Sequence, residues 1–284
     1  MISSIQAIIL GLLQGLTELF PISSLGHSVI LPGLLHWNLN QEDPFFLTFL
    51  VGTHFATALV LFIFFWSDWR RLIAAFFRSL QKWQLVGDSD AKLIWLLIVG
   101  TIPAGLLGLI FEKPLRTLFA SPKAAAAFLI LNGLMFVGGE YLRRRQTVTT
   151  TSGDIDTRLA QLSFKQSAVI GTMQSLALFP GFSRTGATIV GGLIAGLSHE
   201  DSARFSFLLA TPIIGAAALL KLPHLFSAAG QQFLAPTLIG AVCAAIAAWF
   251  AVTFLTKYFK TKTLIPFAIY CLALGIFASL TLGF

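Results

Sequence analysis

Apolar residues run along this chain in long blocks, separated by short stretches in which basic residues collect. Six blocks are long enough to cross a hydrocarbon core, which takes about 20 apolar residues in a helix. They are Phe45–Trp66, Leu93–Phe111, Ala124–Leu142, Phe205–Leu222, Leu234–Thr256 and Leu264–Phe284. Residues 1–35 and 164–198 are also apolar, but Pro, Ser, Gly and a charged residue interrupt each near its middle. Each predicts two half-helices around a turn, at Pro21 or at Pro180, which makes a re-entrant hairpin.

The two interruptions resemble each other. Gln14 precedes Leu19-Phe20-Pro21, with Ser24 three residues after the proline and then Gly26. Gln174 precedes Leu178-Phe179-Pro180, with Ser183 three residues after the proline and then Gly186. Each hairpin is followed by three spans, and an odd number of spans turns the second copy upside down relative to the first. Inverted repeats whose broken helices face each other at the bilayer midplane are a known arrangement. The expected fold is therefore an all-α polytopic bundle of about six spans and two re-entrant hairpins. It forms one integral-membrane domain over 1–284, with pseudo-repeats 1–142 and 164–284.

Composition sharpens this picture. Hydrophobic residues make up 56% of the chain and charged residues 11%, where a soluble domain carries about a quarter charged. The apolar excess is too large for one soluble core, so it must face lipid. The net charge of +7 does not describe a nucleic-acid footprint, because the basic residues sit in short runs between apolar blocks. Arg70, Arg71, Arg78, Lys82 and Lys92 follow the first span, Arg143–Arg145, Arg158 and Lys165 the third, and Lys257, Lys260 and Lys262 the fifth. The other loops hold fewer: Lys113, Arg116 and Lys123 in one and Lys221 in the other. The positive-inside rule puts the richer loops in the cytoplasm and both termini across the membrane. The start of the chain lacks a basic n-region and a small-residue cleavage site, so it does not read as a cleaved signal. Cys243 and Cys271 lie inside apolar blocks and read as small packing residues.

Candidate chemistry concentrates in the two breaks. Of 31 charged residues, 29 fit loops or span ends; Glu18 and Arg184 do not, and there is one in each hairpin. Charges within a membrane mark function or a buried pair. Gln14 and Glu18 stand four apart on one helical face. Ser23 and Ser24 suit the start of a new helix, with His27 on its first turn. In the second break Gly181 and Gly186 permit close backbone approach, Ser183, Thr185 and Thr188 bring hydroxyls, and Arg184 brings a forked cation suited to phosphate. The segment lacks the GK[ST] ending of a Walker loop. Carboxylate, imidazole, hydroxyls, guanidinium and two helix N-termini together suit phosphoryl chemistry at a lipid-accessible site.

QGLTELFPISSLGH (Gln14 to His27) and PGFSRTGATI (Pro180 to Ile189) resemble the two signature motifs of the undecaprenyl-diphosphate phosphatase family, the bacitracin-resistance type. FSFLLATPIIGAAAL (Phe205–Leu219) and LIPFAIY (Leu264–Tyr270) extend the resemblance over nearly the whole chain. The resemblance implies hydrolysis of undecaprenyl diphosphate to the monophosphate and phosphate, which recycles the lipid carrier of peptidoglycan synthesis and confers bacitracin resistance. It implies a divalent metal, Mg2+ or Ca2+, and a location in the bacterial inner membrane with the site facing the periplasm. A polyprenyl diphosphate is the implied substrate, and a second copy of the chain is a candidate partner. Residue by residue, the paired acidic-or-amide positions fall on Gln14 and Glu18, the candidates to hold a metal. The serines fall on Ser23 and Ser24, the histidine on His27, and the phosphate site on Arg184 with Ser183 and Thr188. This chain departs from the family in having neutral Gln14 where Glu is common and Leu25 where Thr is common.

Two mechanisms stay open at this point. His27 could attack phosphorus directly, with Glu18 orienting it or holding the metal. Alternatively, Glu18 or His27 could act as general base on water or on a serine hydroxyl. His54 either lines the lipid cavity or packs near it, and Asn132 and Glu140 read as interhelical hydrogen-bonding residues. His36, His199 and His224 are expected to see water, and Trp66, Trp69, Trp83 and Trp95 to anchor at interfaces. The rival function is a transporter or flippase of a lipid phosphate or small anion. What separates the two is the set Gln14, Glu18, Ser24 and His27, because a passive anion site gains nothing from a carboxylate beside phosphate.

Overall fold

The computed structural model describes residues 2–37, 39, 44–82, 87–119, 121–145, 153–221, 223, 226 and 231–283. Among these every regular element is a helix. In chain order they are α1 (Ser4–Leu19), α2 (Ser24–Leu34), α3 (Pro44–Phe64), α4 (Trp66–Lys82), α5 (Ser89–Phe119) and α6 (Pro122–Arg144). They continue with α7 (Ile155–Leu159), α8 (Phe164–Gln174) running into a 3-10 turn over Ser175–Leu178, and α9 (Arg184–Ile194). The last three are α10 (His199–Lys221), α11 (Gln231–Tyr258) and α12 (Ile265–Thr281).

All six expected spans are helical, with adjusted ends. Among the described residues four helices are long and apolar enough to cross a membrane on their own: Ser89–Phe111, Pro122–Arg144, His199–Leu220 and Phe233–Tyr258. The first expected span stops at Phe64, and the chain turns by 82° into α4. Residues 66–82 read as a charged loop in one dimension, yet they repeat with helical period. Leu72 and Ala75 are buried on one side, Arg70 and Arg78 lie outside, and Phe77 is exposed to lipid. That distribution describes a helix lying in the interface plane. Large side chains such as Leu106, Ile110, Phe250, Ile269 and Leu280 point outward, which only a lipid surround accommodates. The molecule is a multi-pass membrane protein.

The halves exchange partners. Helix α1 packs on α11 and α8 on α5, while α6 faces α12 and α3 faces α10. Two of these crossings are glycine on glycine. A Cβ on Gly11 would sit 2.3 Å from the Gly240 carbonyl oxygen, and one on Gly171 would sit 2.0 Å from that of Gly100. Small residues let helix backbones approach in this way where lipid gives no hydrophobic push.

On the basic side a charge network ties α4, α5, α7 and α10 together. Asp156 accepts from Arg71 at 2.5 Å and from Arg204 at 2.9 Å, Arg204 also reaches Asp68 at 3.0 Å, and Asp90 lies 3.5 Å from Arg71. Burial would push the Asp156 carboxyl up, but the two guanidiniums outweigh it and hold it below the usual aspartate range. His199 is buried rather than wet, because its Nε2 meets Glu140 Oε1 at 2.7 Å, which also accepts from the Leu264 amide at 2.7 Å. Trp69 is likewise buried rather than at the surface. Trp83 and His224 lie outside the described residues.

Candidate active site

The first hairpin begins with a capping box, in which Ser3 and Gln6 satisfy each other's backbone amides. Helix α1 ends at Phe20, held extended by the following Pro21. Ser23 closes the turn with φ of 69°, a left-handed value rare outside glycine. Its Oγ caps α2 by accepting the Gly26 amide at 3.1 Å. Ser24 is thus the first residue of α2, beside amides that no helical carbonyl can reach.

The second hairpin repeats the design with one change. Ser163 and Gln166 form a second capping box at the start of α8. After Pro180 the left-handed residue is Gly181, at φ 105°, and a Cβ there would lie 2.3 Å from the Ala125 carbonyl oxygen. Ser183 caps α9 through the Gly186 amide at 3.1 Å. This turn is one residue longer than the first, so the structural equivalents are the caps Ser23 and Ser183 and the leading residues Ser24 and Arg184. Counting from the prolines pairs Ser24 with Ser183, whereas the caps pair it with Arg184.

The two turns meet around Glu18, which is 6% exposed. Its Oε2 accepts from Ser24 Oγ at 2.5 Å and from Gln14 Nε2 at 3.1 Å, and its Oε1 accepts from Arg184 Nη2 at 2.5 Å. His54 on α3 points Nε2 at Glu18 Oε2 from 3.2 Å and lies 3.4 Å from Ser24 Oγ, while its Nδ1 donates to the Leu50 carbonyl at 2.7 Å. Thr185 Oγ1 donates to the Glu18 carbonyl at 2.9 Å. Asn132 of α6 joins both turns: its Nδ2 donates to the Pro21 carbonyl at 3.3 Å and its Oδ1 accepts the Ser183 amide at 3.0 Å.

A cavity of about 270 Å3 opens on this cluster, with Glu18, Ser23, Ser24, His54, Ser183 and Arg184 as its polar wall. Leu50, Ile213, Ile214 and Ala217 complete the rim. Arg184 Nη1 is buried there without a hydrogen-bond partner. A planar guanidinium with one edge bound to carboxylate and a free nitrogen beside two helix N-termini is arranged to receive an anion.

Other expected phosphate contacts stand back from this wall. Thr188 Oγ1 is taken up by the Arg184 and Thr185 carbonyls and by Ser206 Oγ, packing α9 on α10. Thr185 ties the hairpins together, and Gly181 makes the turn against α6. His27, 5% exposed, faces away from the cavity. Its Nδ1 donates to the Ser23 carbonyl at 2.7 Å, its Nε2 accepts from the Tyr270 hydroxyl at 2.8 Å, and the two rings stack 5.6 Å apart. Sequence reasoning gave His54 no firm role and Tyr270 none. An i to i+4 histidine-to-carbonyl bond inside an apolar span leaves no mark in a linear pattern.

The donor set does not fit a divalent cation held by the protein. Mg2+ and Ca2+ take six or more oxygens, usually with several carboxylates. Among the described residues Glu18 is the only carboxylate on the cavity wall, its oxygens already accept three donors, and a guanidinium stands 2.5 Å away. Gln14 Oε1 has no partner, but Gln14 is fully buried and does not line the cavity. Among the described residues no three His, Cys, Asp or Glu side chains converge as a metal site.

Comparison with known proteins adds an independent line. A family model described as bacitracin resistance protein BacA matches residues 7–277. A Mycolicibacterium paratuberculosis protein named undecaprenyl-diphosphatase is 47% identical, over 96% of this chain and 95% of its own. Similar proteins of that name from Acidiphilium cryptum (43% identical, 98% of each chain) and, as undecaprenyl-diphosphatase 2, from Chromobacterium violaceum (45% identical, 96% of this chain and 97% of its own) also match.

Proposed function

The chain belongs to the bacitracin resistance protein BacA family, and on that premise we propose that it hydrolyses undecaprenyl diphosphate to undecaprenyl phosphate and inorganic phosphate. It is a membrane phosphatase whose lipid product re-enters envelope synthesis. The carrying observation is the Ser24 hydroxyl, 2.5 Å from Glu18 at the start of α2, in a cavity also lined by Arg184, whose Nη1 is buried without a partner.

The geometry supports this sequence of events. Arg184 keeps Nη2 on Glu18 and offers Nη1 to a terminal phosphate oxygen, with the α2 and α9 N-termini taking up further charge. Ser24 Oγ attacks the terminal phosphorus and its proton passes to Glu18 Oε2. The bridging P–O bond breaks and undecaprenyl phosphate departs. The departing monophosphate carries that proton away; Glu18, again a carboxylate, takes a proton from the water that attacks the phosphoserine and returns it to Ser24 Oγ as the serine–phosphorus bond breaks and phosphate leaves. His54 Nε2 steadies the Glu18 carboxylate. His27 is a positioning residue, holding the carbonyl of left-handed Ser23 and so the direction of Ser24.

This favours serine as nucleophile over a phosphohistidine at His27. An acid-stable phosphoserine at Ser24, recovered when the unmodified purified protein is quenched in acid during turnover, supports the reading. An acid-labile adduct at His27 overturns the nucleophile, and no phosphate release at all returns the transporter alternative. Because the residues of the cavity do not fit a divalent cation, one needed for turnover would come with the diphosphate. Chelator is thus expected to suppress turnover, while Mn2+ added without substrate shows no stoichiometric binding by electron paramagnetic resonance.

The cavity is lined by Leu50, Val51 and His54 in the first half of α3 and by Ile213, Ile214 and Ala217 in the second half of α10, the halves toward the side poor in basic residues. That supports a site in the bacterial inner membrane opening to the periplasm. The reading of 1–142 and 164–284 as inverted copies draws support from the exchanged helix partners, the paired glycine crossings and the two capping boxes.

A further inference from the structure

A second cavity, about 380 Å3, lies between α5 and α10 with α4 at its far end. Its wall is apolar: Trp69, Ile94, Leu97, Gly105, Pro212 and Ile213 carry most of it. Ile213 is shared with the phosphate cavity, and Ala216 of this wall neighbours Ala217 of the other. From Gly105 to Ile94 the groove follows 12 residues of α5, about 16 Å at the helical rise. It runs away from the charge-poor mouth, toward Trp69 beside the basic network. At Gly105 a Cβ would meet only Ile213 Cδ1, at 3.8 Å, so the open width there depends on a missing side chain.

We propose that this groove holds the isoprenoid chain of the substrate, running from the phosphates at Arg184 past Ile213 toward Trp69. The proposal rests on the phosphatase reading and adds a chain-binding subsite to it. A long polyprenyl tail attached to a phosphate in the first cavity must leave it through apolar space. Ile213 lines both cavities, so the groove adjoins the reacting end, and a chain tethered by its phosphates at Arg184 reaches it where a free lipid acyl chain has no such anchor. Ordinary dispersion and desolvation suffice for binding, growing with each buried methylene, and chain length becomes the quantity the groove reads.

The test uses the full-length protein in detergent, with undecaprenyl diphosphate and farnesyl diphosphate as substrates. Gly105→Phe narrows the junction and Ile98→Trp fills the middle of the groove; Ile276→Trp on the lipid face of α12 is the control. Either groove variant is expected to raise KM for undecaprenyl diphosphate about tenfold with kcat little changed, and Ile98→Trp to leave farnesyl diphosphate nearly as in the unmodified protein. An unchanged ratio of the two KM values in both variants overturns the subsite and assigns the groove to bulk lipid. Should Gly105→Phe fail to fold, Gly105→Leu, which protrudes less, carries the same expectation and the same refutation. Phosphate release from neither substrate by the unmodified protein overturns the phosphatase reading instead.

Discussion

Glu18 is surrounded by donors, and its pairing with Arg184 is both a stabilising contact and a piece of chemistry. Two charges buried at 11% and 5% side-chain exposure depend on each other, and removing one leaves the other uncompensated at a cost of about 3–5 kcal/mol. Arg184→Ala is therefore expected to lower thermal stability in detergent sharply, and Glu18→Gln combined with Arg184→Gln to restore much of it while turnover stays absent. Failure of the double variant to recover would mean the pair is not what holds the hairpins. Ser24→Ala should behave differently. Because Ser23 rather than Ser24 caps α2, stability should hardly change while phosphate release falls at least about 100-fold, the usual scale for losing an activated group. His27→Ala is expected to fall between these cases, with lowered kcat and a KM near normal, since the ring positions the turn without facing the cavity.

At the scale of elements, the site exists because two 11-residue helices start at one place. Asn132 is the joint: one side chain serves the Pro21 carbonyl and the Ser183 amide. Asn132→Leu keeps the volume and strands both groups in a buried setting, an expected loss of about 1–3 kcal/mol for each unsatisfied partner. Thermal unfolding alongside kcat would show both falling together. If only stability fell, with turnover intact in the folded fraction, the joint would not be what aligns Ser24 with Arg184. The exchanged crossings make a parallel expectation: Gly171→Leu cannot be accommodated against the Gly100 carbonyl and should prevent folding.

Across the whole molecule, the basic-side network carries the pH dependence. Asp156 titrates below the usual aspartate range when folded. Its contribution is thus present above the unfolded pKa and disappears as pH falls through the folded one. The melting temperature of the native protein should drop on acidification below about pH 4, where free aspartate protonates. In Asp156→Asn that part of the drop should be missing, and identical acid profiles for the two would remove the network from the account. The same network holds α4, which bends away from α3 by 82°, so its loss should also loosen that helix.

Much of this was legible in one dimension. Long apolar blocks, two interruptions and the placement of arginines and lysines determine a polytopic bundle with two re-entrant hairpins, because burying backbone polar groups in lipid leaves few other solutions. Glu18, Ser24 and Arg184 stood out for the same reason: unusual residues in an apolar run are costly and need a purpose. Other features were written in the chain yet easily passed over, such as the Ser-x-x-Gln boxes at Ser3 and Ser163. Tertiary structure alone decided the rest. It turned His27 toward Tyr270 and brought His54 to Glu18, it reassigned Thr185 and Thr188 from phosphate to packing, and it left one nitrogen of Arg184 free. Those outcomes depend on which side chains arrive from helices far apart in sequence, and on a single extra residue in one turn. Periodicity along a strand of sequence carries no information about either.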